Sequence, residues 1–411
     1  MSLSTNFWKI APCLFAIIID FMGLGLVYPL VTVIFTETPN VVFPGLEGIS
    51  ERNFIMSLSY VLYPLFMFFG ASLLGDLSDI YGRKKVLICS LVGILISLVA
   101  MGAGISIHSL GLFLIGRALS GLMAGSQPLC MAAIADLSTE ATKMRNMGVV
   151  TLTNCLGFTF GPFLGGVLTE RHLLQTFGFS LPLWVGAALA IVGIFWLFFF
   201  QETVHRNEPK KLDFKRPIVI FIEAFQHPKM RVFASVAFLQ MFAFMLYYQT
   251  VGIYLREAFH YSSEELGFYY AAMGIYAALG VLLIIPIVLK KWHIEKIAAY
   301  GFLFNGIAAL ATVFDSGEFF VLAIALPFIV GNSVGYTAFA SAVSNSTDER
   351  RQGWAMGVLA AAVALALTLS GFGANLLSLL STTQVIALTG VSGILSGLLM
   401  IRYTLQHRRN T

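Results

Sequence analysis

The chain has 411 residues, 58% of them hydrophobic and 11% charged. A soluble domain is about half apolar and about a quarter charged, so the composition excludes an ordinary globular protein and places the chain among polytopic membrane proteins. The formal net charge of +4 is no nucleic-acid signal, because the basic residues lie in short connections instead of one patch.

A helix needs roughly 20 apolar residues to cross the hydrocarbon core. Windows of that length fall at 9–35, 54–75, 86–104, 111–135, 147–168, 182–200, 231–255, 265–289, 296–314, 319–343, 354–377 and 384–401. The reading is an all-α membrane protein of twelve transmembrane helices. Met1 to Lys9 run straight into the first span with no small-residue cleavage site, so no cleavable signal peptide is expected. The four cysteines, Cys13, Cys89, Cys130 and Cys155, are scattered through apolar runs without metal-ligand spacing and are expected as buried, reduced core residues. The histidines are isolated, and no metal site or cofactor is expected.

Twenty-one of the 25 Lys and Arg fall at the termini or in the even-numbered connections. Arg52, Arg171 and Arg256 fall on the other side, and Arg117 lies inside a span. The positive-inside rule then predicts both termini in the cytoplasm. Trp8, Trp292 and Trp354 sit at the predicted cytoplasmic ends, as interfacial anchors should.

A long connection, "QETVHRNEPKKLDFKRPIVIFIEAFQHPKM" (201–230), divides the spans six and six. The domains are read as an N-terminal bundle over 1–200, a cytoplasmic linker with an interfacial helix over 201–230, and a C-terminal bundle over 231–411. Between spans two and three lies "GDLSDIYGRKK" (75–85). Its pattern G-x-L-x-D-x-x-G-R-[RK] closely resembles the loop signature of the major facilitator superfamily, whose transporters have two such pseudo-symmetric halves. The resemblance implies a cytoplasmic latch made by Gly75, Asp79, Gly82, Arg83 and Asp136. Asp79 would meet the N-terminus of the eleventh span, and Arg83 the Asp136 carboxylate that closes the fourth. A plain positive-inside charge cluster is the structural alternative.

Asp20 stands inside the first span, where an ionised carboxylate costs about 2.5–3.5 kcal/mol on insertion scales. "DFMGLGLVYP" resembles the first-span motif D-x-x-G-x-G-x-x-x-P of the drug:proton antiporter branch, tetracycline exporters among them. "IGRALSGLMAG" (115–125) resembles the fourth-span motif R-x-x-x-G-x-x-x-G through Arg117, Gly121 and Gly125. At 1.5 Å per residue Asp20 lies roughly 16 Å from the cytoplasmic end of its span and Arg117 roughly 20 Å, so the pair lies within reach of an Arg side chain or one water. They are the two ionisable residues placed well inside spans, and such groups mark ion or substrate pathways. Asp20 and Arg117 are therefore read as the proton-coupling pair; a fixed pair that only joins two helices is the alternative. "GFTFGPFLGG" (157–166) resembles the fifth-span antiporter motif G-x-x-x-G-P-x-x-G-G through Gly157, Gly161, Pro162, Gly165 and Gly166, residues suited to close helix packing.

Aromatic residues, Met and a few amides could line an adaptable apolar pocket. The candidates are Gln127, Asn154, Gln240, Tyr247, Tyr248, Tyr270 and Asn332. The expected function is a proton-coupled antiporter exporting small amphipathic or cationic compounds, driven by the proton gradient and acting as a monomer in a bacterial inner membrane. Its partners are a small-molecule substrate, protons and the lipid bilayer. A metabolite or siderophore carrier, importers included, is the rival. An enzyme or receptor is disfavoured, since a convergent catalytic constellation and long sensing loops are both missing from the sequence.

Overall fold

The computed structural model describes residues 3–36, 39–138, 140–169, 178–203, 219, 222–223, 226–314, 317–346 and 352–408. Eleven of its helices are long and apolar enough to cross a bilayer: Trp8–Thr36, Ile49–Tyr81, Arg83–Ser106, Leu110–Asp136, Asn146–Val167, Pro228–Phe259, Ser263–Leu289, Ile294–Ala311, Glu318–Asn345, Trp354–Leu376 and Thr382–Gln406. A shorter apolar helix, Leu181–Leu197, has 17 residues and completes the series as the sixth. In order these are the twelve segments expected from hydropathy. The linker's interfacial helix falls largely outside the described residues.

Two spans depart from a continuous helix. The fourth is two helices, Leu110–Met123 and Ser126–Asp136, interrupted at Ala124 and Gly125. The sequence states the reason in "AGSQP": a glycine precedes the new start, and Pro128 falls in a first turn that needs no amide from it. The eighth has a wide turn at Gly280–Ile284, followed by Pro286, which cannot donate an amide to the turn before it.

Chain contacts define two units, one comprising Met1–Arg52, Leu62–Phe214 and Ser262–Ala271, the other Asn53–Val61, Lys215–Tyr261 and Ala272–Thr411. Relative to the six-plus-six division read from the sequence, each unit takes in one helix-end segment of the opposite half.

In the first unit the first and fifth spans pack backbone to backbone. A Cβ placed on Gly161 would lie 2.7 Å from the Met22 carbonyl oxygen, and one on Gly165 2.5 Å from that of Leu26. Gly25 faces Pro162 in return, its added Cβ 2.7 Å from the proline Cδ. Gly166 meets Gly267 in the same way, 2.6 Å from its Cα. Without a hydrophobic gain between helices in lipid, such close packing is what holds them.

The second unit has a core centred on Phe233, Phe302 and Phe339, with Met230, Met400 and Tyr403. Inside it lies a polar knot. Gln240 Nε2 donates to Asn305 Oδ1 and Asn332 Oδ1, each at 2.9 Å, and Ser396 Oγ donates to Gln240 Oε1 at 3.0 Å. Asn305 Nδ2 donates onward to the Phe328 carbonyl at 2.8 Å. Four helices thus meet through satisfied buried amides.

The cysteines require a correction. Cys13 and Cys130 are buried as expected, but Cys89 is exposed and Cys155 half-buried. Cys89 shares the outer face of the third span with Val92, Ile96 and Val99, all exposed. In a membrane helix the outward face is also apolar, so an apolar neighbourhood in sequence does not imply a core position.

Candidate functional site

The break in the fourth span builds the site. Ser126 is the first residue of the helix Ser126–Asp136, and its hydroxyl donates to Asp20 Oδ2. Helix N-termini present amides without intrahelical partners and a positive dipole end. The Asp20 carboxylate therefore stands where a half-helix favours a negative charge, an arrangement also used in transporters with interrupted helices. On its other side Tyr63 OH donates to Asp20 Oδ1 at 3.4 Å. Asp20 is 7% exposed and Arg117 1%.

Arg117 contacts the same Tyr63. Its Cζ lies 5.3 Å from the Tyr63 ring centroid, in cation–π range. The fourth-span motif explains how. Gly121 lies one turn after Arg117 on the same face, and a Cβ there would sit 2.9 Å from Tyr63 Cα. The glycine lets the second span come close enough for its tyrosine to slide under the guanidinium. Ser126, Asp20, Tyr63 and Arg117 form a chain of contacts across three spans.

Of the residues expected to form a latch, Arg83, Asp79 and Asp136 lie together. Arg83 Nη1 lies 2.9 Å from Asp79 Oδ1, and its Nε 3.8 Å from Asp136 Oδ2. Gly82 carries a φ of +101°, the left-handed region that favours glycine. Gly75 has open space around it. The start of the eleventh span, expected as Asp79's partner, follows residues 347–351, which lie outside those described.

Glu202 joins this cluster from the end of the sixth span. Its Oε1 accepts from the Arg83 amide at 2.8 Å and its Oε2 from the Lys84 amide at 3.2 Å, capping the third span. Beside it, Thr203 Oγ1 donates to Asp136 Oδ2 at 3.2 Å.

Of the pocket candidates, Gln127, Asn154 and Tyr270 belong to the first unit and Gln240, Tyr247, Tyr248 and Asn332 to the second. Gln240 and Asn332 belong to the polar knot. Tyr247 is fully buried, stacked on Phe328 at 3.9 Å with its hydroxyl 3.1 Å from Thr312 Oγ1. Tyr248 packs on Phe244 at 6.0 Å, and Tyr270 meets Tyr269 edge-on at 5.7 Å. Gln127 and Asn154 are half-buried, and the Asn154 Oδ1 is sealed from solvent without a hydrogen bond.

Sequence reading missed Tyr63, Ser126 and Glu202. The glycine–serine–proline run of "AGSQP" is a legible signal for Ser126. A tyrosine among apolar residues, and a glutamate at a helix end, carry none that a single sequence can show.

The sequence model of the Major Facilitator Superfamily matches residues 10–371. The class C tetracycline resistance protein of Escherichia coli is 25% identical over 361 residues, covering 84% of this chain and 84% of its own. The quinolone resistance protein NorA of Staphylococcus aureus is 23% identical over 349 residues, covering 84% of this chain and 83% of its own. Among solved structures, a D-xylose–proton symporter superposes with a TM-score of 0.75 at 15% identity over 96% of this chain and 97% of its own. The human organic anion transporter MFSD10 gives 0.73 at 19% identity over 97% and 100%. With a superfamily match across most of the chain and its twelve apolar helices in place, the chain belongs to the Major Facilitator Superfamily and is an integral membrane transporter of small molecules, not an enzyme.

Proposed function

We propose that this transporter is a proton-coupled antiporter that exports small amphipathic or cationic compounds by alternating access, as a monomer in the plasma membrane with both termini in the cytoplasm. The observation that carries the reading is the contact chain Ser126–Asp20–Tyr63–Arg117. Asp20 takes up a proton when open to the outside and gives it up when cargo binds from the inside. The two donors and the nearby guanidinium stabilise the ionised carboxylate, and a buried charge of this kind is the usual mark of an ion pathway. The Arg83–Asp136 pair holds one access state and opens in the other. The names of two relatives, a tetracycline and a quinolone resistance protein, support lipophilic cargo over a phosphorylated metabolite, as does the aromatic and amide composition of the candidate residues Tyr247, Tyr248, Tyr270, Gln127 and Asn154.

The test is transport in proteoliposomes of known orientation under an imposed pH gradient, using a panel of fluorescent lipophilic cations. Substrate should accumulate against its gradient with the native protein and fail to do so with Asp20→Asn. Uphill movement that persists in Asp20→Asn defeats the coupling role, and accumulation only in the same direction as proton flow defeats antiport in favour of a carrier that imports.

A further inference from the structure

We infer that the half-helix Ser126–Asp136 is the mechanical link through which the state of Asp20 reaches the Arg83 latch. The inference rests on the proton-site reading above and adds to it the element that transmits the signal.

The two ends of this one helix belong to the two clusters. Its first residue donates to Asp20. Its last, Asp136, lies 3.8 Å from Arg83 Nε and accepts from Thr203 Oγ1 at 3.2 Å. Eleven residues span about 16 Å, so the helix bridges the buried carboxylate and the latch as one rigid piece. The interruption at Ala124–Gly125 frees it from the helix before it, which carries Arg117.

The charges at the two ends meet the helix dipole in opposite senses. An ionised Asp20 at the N-terminus is stabilised by the helix dipole, whereas a carboxylate at the C-terminus has the wrong sign for it. What faces Asp136 there is Arg83 at 3.8 Å and the Thr203 hydroxyl, which donates to it at 3.2 Å. Neutralising Asp20 removes the favourable contact at one end and loosens the seating on which the Arg83–Asp136 geometry depends at the other. Between the ends the helix rests on the first span, where Cys130 Sγ donates to the Cys13 carbonyl at 3.2 Å. The titratable and charged groups around Asp20 are Tyr63 of the second span, Arg117 and Cys130 of the fourth, and Cys13 and Tyr28 of the first. The fifth span meets this stretch with Gly157 and Gly161.

Cys130 is itself the reporter, since it lies at mid-helix with no exposed surface. In lipid nanodiscs, the full chain with Cys89→Ser and Cys155→Ser is treated with N-ethylmaleimide at fixed pH, and labelling of Cys130 is followed by peptide mass spectrometry. Asp20→Asn and Ser126→Ala are each expected to speed labelling by about tenfold or more, the low end for losing a hydrogen bond to a charged group. Asp136→Asn should do the same from the far end. The Asp20→Asn/Asp136→Asn pair should then label no faster than the quicker single variant, because one helix is released once. Unchanged Cys130 labelling in Ser126→Ala, or rates that multiply in the pair, overturns the link. The labelling needs neither substrate nor gradient, so it fails separately from the transport test: lost coupling in Asp20→Asn with an unmoved Cys130 leaves the proton site standing and removes the link alone.

Discussion

The Arg117 guanidinium lies over the Tyr63 ring, 5.3 Å from Cζ to centroid, while the same tyrosine's hydroxyl donates to Asp20. One side chain thus gives its face to the cation and its edge to the anion. The two roles separate by mutation. Tyr63→Phe keeps the ring under Arg117 and deletes the donor; at 3.4 Å its bond to the carboxylate is long, worth about 0.5–1.5 kcal/mol, below the usual range for a charged partner. Coupled export should fall by about 2- to 10-fold, with expression and melting temperature unchanged. Tyr63→Leu removes the ring as well and should fall further, with a lower melting temperature. Native coupled export in Tyr63→Phe would show that the hydroxyl takes no part.

Arg117 is buried to 1% exposure, where the geometry of its cation matters as much as its charge. Lysine keeps the charge but offers a compact ammonium in place of a flat guanidinium that stacks. Arg117→Lys should therefore insert in the membrane and still lose about tenfold or more in coupled export. Native transport rates in that variant would reduce Arg117 to a simple counter-charge.

Much of the fold is legible in the sequence. Hydropathy places all twelve helices, because a span must be apolar over its whole length and tolerates few exceptions. The exceptions, Asp20 and Arg117, are for that reason conspicuous. The corner around Arg83 is legible because Gly82 needs a positive φ and Arg83 needs a carboxylate, and both are stated in the motif. What was not legible is how the two buried charges communicate. Depth alone is compatible with direct contact or a water, and Tyr63, which contacts both residues, is one apolar-looking aromatic among many in the sequence. Gln240 and Asn332 show a related limit. Buried amides in a span look alike in sequence, and nothing there shows that these two bond to each other across two spans.

The motif glycines near Asp20 divide by what surrounds them. An added Cβ at Gly25 would press on Pro162 Cδ at 2.7 Å, whereas at Gly23 nothing lies within 4 Å. Gly25→Ala should destabilise the protein by about 1–3 kcal/mol through overpacking, read as a lower melting temperature in detergent. Gly23→Ala should be silent. Gly23→Phe should block transport while the melting temperature stays near native, since Gly23 sits three residues from Asp20 on the same helical face. A Gly23→Phe protein that transports normally would exclude that face from the pathway.

Glu202 makes the last case, because capping and latching converge on it. Its two carboxylate oxygens take the amides of Arg83 and Lys84, at a helix start where donors have no partner and negative charge is favoured. Removing such a cap costs about 0.5–2 kcal/mol. Glu202→Ala should lower the melting temperature and speed amide hydrogen exchange over residues 83–86. The displaced helix start carries the Arg83 side chain with it, so the Arg83–Asp136 contact should weaken together with the cap. Glu202→Gln retains an acceptor without the charge and should fall between. Gly82→Ala attacks the same corner from the opposite side, since its φ is +101° and its new Cβ would lie 2.8 Å from Glu202 Cδ. Its effect should exceed that of Glu202→Ala, because backbone strain at positive φ adds to the lost cap. In the double variant the two costs should sum to less than their separate values, since a cap can be lost once. If Glu202→Ala melts at or above the native temperature with unchanged exchange at 83–86, the carboxylate is a bystander and the latch is held by Arg83, Asp79 and Asp136 alone.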